Sequence, residues 1–366
     1  MRILVVNPGS SSLKLSVLGD SGDPILQEDL ATDPAEAGAT PLDGFLDRAG
    51  ELDAVGVRIV HGGARLRRPT LVDDATLRLL DEACSLAPLH NPAAIAAIRR
   101  LRRLRPTLPI VACFDTGFHA TMPDAAAVYP IPAEWTEHLL LRRLGFHGLS
   151  HAYASRRCAV MLDRPLNRLR LVTCHLGAGA SLAAVQGGRS VDTTMGFTPM
   201  EGVMMATRSG SVDPGMILHI IRARGLSADQ VEETLDRRSG VLGVSEISAD
   251  MREVIGAADA GNPRAVLALA IYAHRLRAGI SAMAAAMDGL DGVVFTGGVG
   301  EGSPRIRDDA CSGLSFLGVQ LDSARNAAVV GQDGIIHDPR AAVAAVVVHA
   351  REDLEIAAEV RALLQG

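Results

Sequence analysis

The chain has 366 residues, 48% hydrophobic and 21% charged, with a net formal charge of −6. That length and composition suit two globular domains and exclude a disordered polymer. Aromatic residues are only 3% and the charge is acidic, which argues against a stacking platform or a basic field for nucleic acid. No apolar run reaches the roughly 20 residues of a membrane helix. Ala265 to Met287 comes nearest, and His274, Arg275 and Arg277 interrupt it. Ile3 to Val6 is too short for the apolar stretch of a signal peptide. These features predict a cytoplasmic protein with neither nucleic acid nor membrane as partner.

In chain order, apolar Ile3 to Val6 predict a strand, Asn7-Pro8-Gly9 a turn, and Leu13, Leu15 and Val17 alternating with Lys14 and Ser16 a half-buried second strand. Arg58 lies inside the next apolar run. Asn91 as a cap and Pro92 after it predict a helix running to Arg105-Pro106. Asp115 ends a strand that includes Val111, and His147 and His151 precede or open a helix. A second strand–turn–strand unit spans Leu169 to Val185, with His175 aligning to Asn7, Gly177 to Gly9 and Val185 to Val17. Two such units half a chain apart suggest duplicated domains. The crossing is expected in the helix near Ser150 to Met161. Asn262-Pro263 opens a helix to about Met287, Gly292 opens a strand into a glycine loop, and a helix starts at Ser303-Pro304. Val343 to Val348 form a last strand and Asp353 to Leu364 a last helix, so the class is α/β.

Cys84, Cys113, Cys158, Cys174 and Cys311 form no CxxC and are odd in number, which predicts buried thiols rather than disulfides or zinc. Lys14 is the single lysine among 36 basic residues, the rest being arginine. A lysine left in so arginine-rich a chain is a candidate functional residue. It follows Leu13, so there is no P-loop.

The turn from Asn7 to Lys14 gathers a carboxamide, three hydroxyls and an ammonium, groups that can cradle phosphate. It reads equally well as an ordinary polar hairpin. The turns His175 to Ser181 and Thr296 to Gly302 are glycine-rich, but Leu182 and Ser303 stand where GxGxxG needs its last glycine. A dinucleotide site is thereby disfavoured, and a mononucleotide fits better. Taken singly, Arg58, Asp115, His147 and Arg208 are better read as solvated or salt-bridged, and His147 with His151 has no evident third metal ligand.

Together the motifs are identified with a family. Asn7-Pro-Gly-Ser-Ser-Ser-Leu-Lys14 and Met195-Gly-Phe-Thr-Pro-Met-Glu-Gly-Val-Met-Met-Ala-Thr-Arg-Ser-Gly210 resemble the two signatures of the acetate/propionate (short-chain acyl) kinase family. VRIVHGG, LAPLHNP, FDTGFH, GFHGLSH, SADMR, FTGGVGEG and REDLEIA extend the resemblance over essentially the whole chain. That family belongs to the acetate and sugar kinase, heat-shock chaperone and actin superfamily. The resemblance implies two duplicated actin-like (ribonuclease H-like) ATPase domains with a nucleotide cleft between them, divided as 1–149 plus 353–366 and 150–352.

It also implies phosphoryl transfer between ATP and acetate to give ADP and acetyl phosphate, in a cytoplasmic homodimer using Mg²⁺, with Mn²⁺ as a substitute. Arg58 would bind the acyl carboxylate; Arg208 and His147 would stabilise the transferring group; Asp115 would be an acid/base or metal-anchoring carboxylate. Asn7 and Glu352 would hold the metal, and Ser10, Ser12 and Lys14 would lie along the phosphates. His175, Leu176, Gly177, Ala178, Gly179, Asp250, Met251, Arg252, Gly298, Val299, Gly300, Glu301 and Gly302 would bind the nucleotide. Val60, Leu89, Phe146 and Pro199 would wall a small acyl pocket.

A carboxylate is already a nucleophile at neutral pH, which favours an electrostatic or metal-anchoring Asp115 over proton transfer. Phosphoryl transfer is mainly positioning and cationic stabilisation, which two arginines, a histidine and Mg²⁺ supply. The chain departs from the family at Ala178 (usually asparagine), Gly302, His349 and Arg351, and is short between Leu30 and Leu52. A propionate or other short-chain acyl kinase, a sugar-kinase-like enzyme and a catalytically weak nucleotide binder are the competing readings.

Overall fold

The computed structural model describes residues 1–9, 12–31, 40–87 and 90–366. Two compact units divide the chain. Met1–Ala120, Phe146–Tyr153 and Arg351–Gly366 form the first; Thr121–Gly145 and Ala154–Ala350 form the second.

The first unit is built on strands β1 (Ile3–Pro8), β2 (Ser12–Leu18), β3 (Pro24–Ala31), β4 (Ala54–Ile59), β5 (Thr70–Leu71) and β6 (Ile110–Phe114). Their order is β3-β2-β1-β4-β6-β5. β1, β4 and β6 run parallel, while β2, β3 and β5 join antiparallel. Side chains alternate across the pleat, so β1 feeds both faces. Leu4 and Val6 pack with Phe45, Ile98 and Leu101 on one side, and Ile3 and Val5 with Ile356 and Val360 on the other. Gly56 is small for a reason: a β-carbon there would stand 2.4 Å from Ile356. The helix Glu352–Gln365 thereby lies close on the sheet.

The second unit repeats this plan with β7 (Arg170–Leu176), β8 (Ala180–Gln186), β9 (Arg189–Thr193), β10 (Gly292–Thr296), β11 (Gly334–Ile335) and β12 (Ala344–Val347). The order β9-β8-β7-β10-β12-β11 matches the first sheet strand for strand, with β7, β10 and β12 parallel. The helix Pro263–Ala286 buries Leu269, Tyr272, Leu276, Ile280 and Met283, a helical stripe. Asn262 caps it as its sequence implies, accepting from the Arg264 and Ala265 amides.

Three expectations need correction. Ser16 is buried because it shares the face of Val5 and Leu18, which packs against Ile356 and Val360 of the helix Glu352–Gln365, so that strand is more than half-buried. Asn91 does not cap its helix, since the helix Asn91–Leu104 has His90 at the cap position. Its side chain clasps the His61 backbone instead, accepting at 3.2 Å and donating at 2.8 Å. All five cysteines are free, but Cys84 is only half-buried. No helix among the described residues is long and apolar enough to cross a membrane.

Candidate active site

In the first unit the parallel strands end in chemistry. Asn7 and Arg58 are the penultimate residues of β1 and β4, and Asp115 directly follows β6. The three strands are parallel neighbours, so these residues meet at the carboxyl edge, where α/β sheets take ligands. Arg58 donates from Nε and Nη2 to the two Asp115 oxygens at 3.0 and 2.6 Å. Its Nη1 donates to Asn7 Oδ1 at 3.0 Å and lies 3.3 Å from Glu352 Oε2. Asn7 Nδ2 donates to the same Glu352 oxygen at 3.0 Å.

Asp115 is 1% exposed and the Arg58 side chain 15%, so the guanidinium is the outward member of the pair. Burial alone would lower the Arg58 pKa, but Asp115 and Glu352 outweigh it and raise it. Burial pushes the Asp115 carboxyl above its usual range, with Arg58 pulling against and Glu352 adding to the rise.

His147 stands immediately before the helix Gly148–Met161 with φ of 55°, a left-handed conformation. The next amide, Gly148, donates to the Asp115 carbonyl at 2.8 Å. Behind it, buried His119 contacts the Phe146 carbonyl through Nε2 at 3.0 Å. A carbonyl only accepts, so His119 carries its proton on Nε2. Burial pushes its pKa down to about 4, leaving it neutral near pH 7. Phe146 is buried and meets the His61 ring edge-on at 5.4 Å. Val60 follows β4, so Val60 and Phe146 share a unit with Arg58, while Pro199 belongs to the other unit. Lys14 pairs with Asn7 across β1 and β2 and is exposed. Ser12 opens β2; Ser10 and Leu89 lie outside the described residues.

The second unit holds the glycine turns. His175 to Gly179 joins β7 to β8, with the Gly177 amide on the Gly179 carbonyl at 2.9 Å. Ala178 is exposed, and its carbonyl accepts from the Ala206 amide at 3.2 Å. Asp250 caps the helix Met251–Asp259, accepting from the Arg252 amide at 2.9 Å. The Arg252 guanidinium also binds it and holds its carboxyl down at about 2.

Gly298 to Gly302 form the short helix Gly297–Gly302 after β10, with Gly298 and Gly302 exposed. Within that turn the Glu301 carboxylate points inward. It accepts from the Gly297 and Ala350 amides at 2.9 and 3.0 Å and pairs with His349 Nδ1 at 2.6 Å. Fully buried Arg307 braces the same turn, donating to the Gly300 and Glu301 carbonyls at 2.9 Å. Arg208 is held by Asp236, its Nε donating to Oδ1 at 2.7 Å.

Asn7, Asp115 and Glu352 offer hard oxygen donors at one point, which suits Mg²⁺. No group of three or more His, Cys, Asp or Glu that could hold a metal occurs among the described residues. Mg²⁺ needs none, since it binds through one or two carboxylates and the substrate's phosphates. His119 and Asn91 escaped the sequence reading as site supports. Both lie in motifs quoted there, but nothing local tells which distant backbone each would hold.

Two sheets of one topology, one ending in an arginine–carboxylate cluster and the other in glycine turns, define a duplicated actin-like ATPase fold with the parts of a phosphotransferase. The chain belongs to the acetokinase family, whose family model matches residues 39–358. It is 47% identical to the acetate kinase of a Synechococcus species, over 100% of both chains. Among solved structures it resembles the acetate kinase of Porphyromonas gingivalis, with a TM-score of 0.90 and 36% identity over 99% of each chain. A propionate kinase from Francisella tularensis gives 0.89 and 34% identity over 98% of each.

Proposed function

We propose that the chain is a reversible acetate kinase. A carboxylate oxygen of acetate attacks the γ-phosphorus of ATP in line, the bond to the ADP oxygen breaks, and acetyl phosphate and ADP leave. No proton moves. The observation that carries this reading is Arg58 at the carboxyl edge of the first sheet, its charge secured by Asp115 and Glu352. Four of its five N–H groups face Asp115, Asn7 and Glu352, which leaves one on Nη2 for an incoming carboxylate.

His147 and Arg208 stabilise the charge spread over the transferring group's oxygens. Asn7 and Glu352 hold Mg²⁺, with Asp115 anchoring the cluster; when bound, the metal neutralises charge on the nucleotide phosphates. Ser10, Ser12 and Lys14 line the phosphates. The unit with Arg58 is the acyl-kinase domain, and the unit with the glycine turns, Asp250 and Arg252 binds the nucleotide through backbone groups. Val60, Leu89, Phe146 and Pro199 restrict the acyl chain. The enzyme acts in the cytoplasm as a homodimer. The helix Pro214–Arg224 supports the dimer: it buries no residue and leaves Met216 and Leu218 exposed.

The test is hydroxylamine trapping of acyl phosphate with acetate, propionate and butyrate against ATP, GTP and pyrophosphate. Acetyl hydroxamate with ATP, dependent on Mg²⁺, is expected. Equal use of butyrate would shift the reading to a longer-chain acyl kinase. ATP binding with no hydroxamate would make the chain a non-catalytic nucleotide binder.

A further inference from the structure

His147 sits between two pinned peptide planes. The plane that enters it carries the Phe146 carbonyl, which accepts from His119 Nε2 at 3.0 Å. The plane that leaves it carries the His147 carbonyl and the Gly148 amide. That carbonyl accepts from the His151 amide at 2.9 Å, and the Gly148 amide donates to the Asp115 carbonyl at 2.8 Å. A residue's φ and ψ are the rotations between its two peptide planes, so pinning both planes fixes its conformation. Here that conformation is left-handed, with φ of 55°. Histidine visits this region more readily than most residues, yet the backbone is strained there and persists only where its surroundings over-determine it.

Phe146 is held from its ring as well. It is 1% exposed, and the His61 ring meets it edge-on at 5.4 Å. His61 is fully buried and cannot retreat. Its backbone amide donates to Asn91 Oδ1 at 3.2 Å, and its carbonyl accepts from Asn91 Nδ2 at 2.8 Å. Its Nδ1 accepts from the Gly63 amide at 2.9 Å, so that nitrogen carries no proton. Between them Gly62 leaves no room: a β-carbon there would stand 2.1 Å from the Leu66 carbonyl oxygen and 2.8 Å from Phe114 Cδ1. His119 is equally confined, its ring edge-on to those of Phe118 at 5.7 Å and His151 at 5.6 Å. All of these residues lie in the first unit, with Arg58 and Asp115.

We propose that His119 and His61 are positioning residues for His147. His119 sets the peptide plane from which the His147 residue projects, and His61 holds the Phe146 ring that keeps this plane within reach of His119. This rests on the reading of His147 as a group that stabilises the transferring phosphoryl group. Both buried histidines act through His147 rather than on substrate. A displacement of about 1 Å in a group that acts on the reacting atoms can cost about 100-fold.

The experiment measures kcat and KM for acetate and ATP in the full chain, in His119→Leu, His119→Gln and His147→Ala, and in the double variant of His119→Leu with His147→Ala. Leucine removes the donor to the Phe146 carbonyl, whereas glutamine restores one. His119→Leu should lower kcat about 10–100-fold with both KM values within about threefold of the parent, and His119→Gln should recover most of that loss. In the His147→Ala background, His119→Leu should lower kcat no further, because residues acting through one group are not additive. Damage to the fold at large would lower the double variant by the same factor again. His61→Asn keeps an acceptor for the Gly63 amide and loses the ring against Phe146. It repeats the cycle from the other side, and carries it alone if His119→Leu fails to fold. Parent kcat in these variants, or a double variant that falls by the full additional factor, overturns the positioning role alone. A parent that turns over acetate and is matched by His147→Ala overturns the reading of His147 and the inference with it. A parent inert toward acetate overturns the acyl-kinase reading as well.

Discussion

Gly148 donates its amide to the Asp115 carbonyl at 2.8 Å, and a β-carbon on Gly148 would stand 2.3 Å from that oxygen. The helix that follows His147 is therefore seated on the backbone of the carboxylate that grips Arg58. Alanine in place of glycine within a helix ordinarily gains about 0.5–1 kcal/mol. Here the overlap opposes it, and overpacking costs about 1–3 kcal/mol. Gly148→Ala should lower the melting temperature and reduce kcat by about 100-fold as His147 moves. Thermal unfolding and the hydroxamate assay check this; a raised melting temperature with normal kcat would show that the seat is not needed.

Removing Arg58 has a second consequence besides lost catalysis. Asp115 is 1% exposed, and without the guanidinium it would face Glu352 with no cation. Breaking a buried pair from one side costs about 3–5 kcal/mol. Arg58→Ala should therefore cut turnover by orders of magnitude and also destabilise the chain. Adding Asp115→Asn should restore much of the stability and none of the activity. Urea unfolding and single-turnover kinetics on both variants separate the two effects; unchanged stability in Arg58→Ala would contradict the pairing.

What was legible in the sequence follows from the range of each interaction. Asn262 and Ser303 announce helix starts because a cap binds amides two or three residues away. Ile3 to Val6 and Val343 to Val348 announce strands because both faces are buried. The repeat of β1-β2 as β7-β8 shows in the alignment of Asn7 with His175 because each turn sits at the same place in its sheet. Asn91 acts across 30 positions on a partner that no local pattern names. Glu301 was legible as part of a glycine turn, yet the inward direction of its carboxylate depends on Ala350 and His349, far along the chain.

The helix Pro214–Arg224 gives a prediction about assembly. Met216 and Leu218 are 39% and 50% exposed, and the helix buries nothing. Met216→Glu with Leu218→Glu should convert a dimer to a monomer without unfolding the chain, because neither side chain supports the core. Sedimentation velocity reads the mass and circular dichroism the fold. A parent that sediments as a monomer, or a variant that stays dimeric, would remove this helix from the interface.

His119 predicts how stability responds to acid. Its ordinary pKa of 6.5 falls to about 4 in the folded chain, chiefly because burial penalises the charged ring. The unfolded chain therefore takes up a proton below pH 6.5 that the folded chain refuses until about pH 4. The unfolded state binds more protons in that window, so this contribution is complete above pH 6.5 and is lost as the pH falls toward 4. A shift of this size corresponds to about 3 kcal/mol. His119→Gln can still donate to the Phe146 carbonyl but cannot titrate. The variant should be less stable than the parent at neutral pH, through poorer packing against the His151 ring 5.6 Å away. Its stability should then decline less steeply between pH 6.5 and 4, so the two curves converge in acid. Urea unfolding at half-unit pH steps measures both. Parallel curves over the whole range would mean that His119 takes up its proton at the same pH in the folded and unfolded chains, and that burial does not depress its pKa.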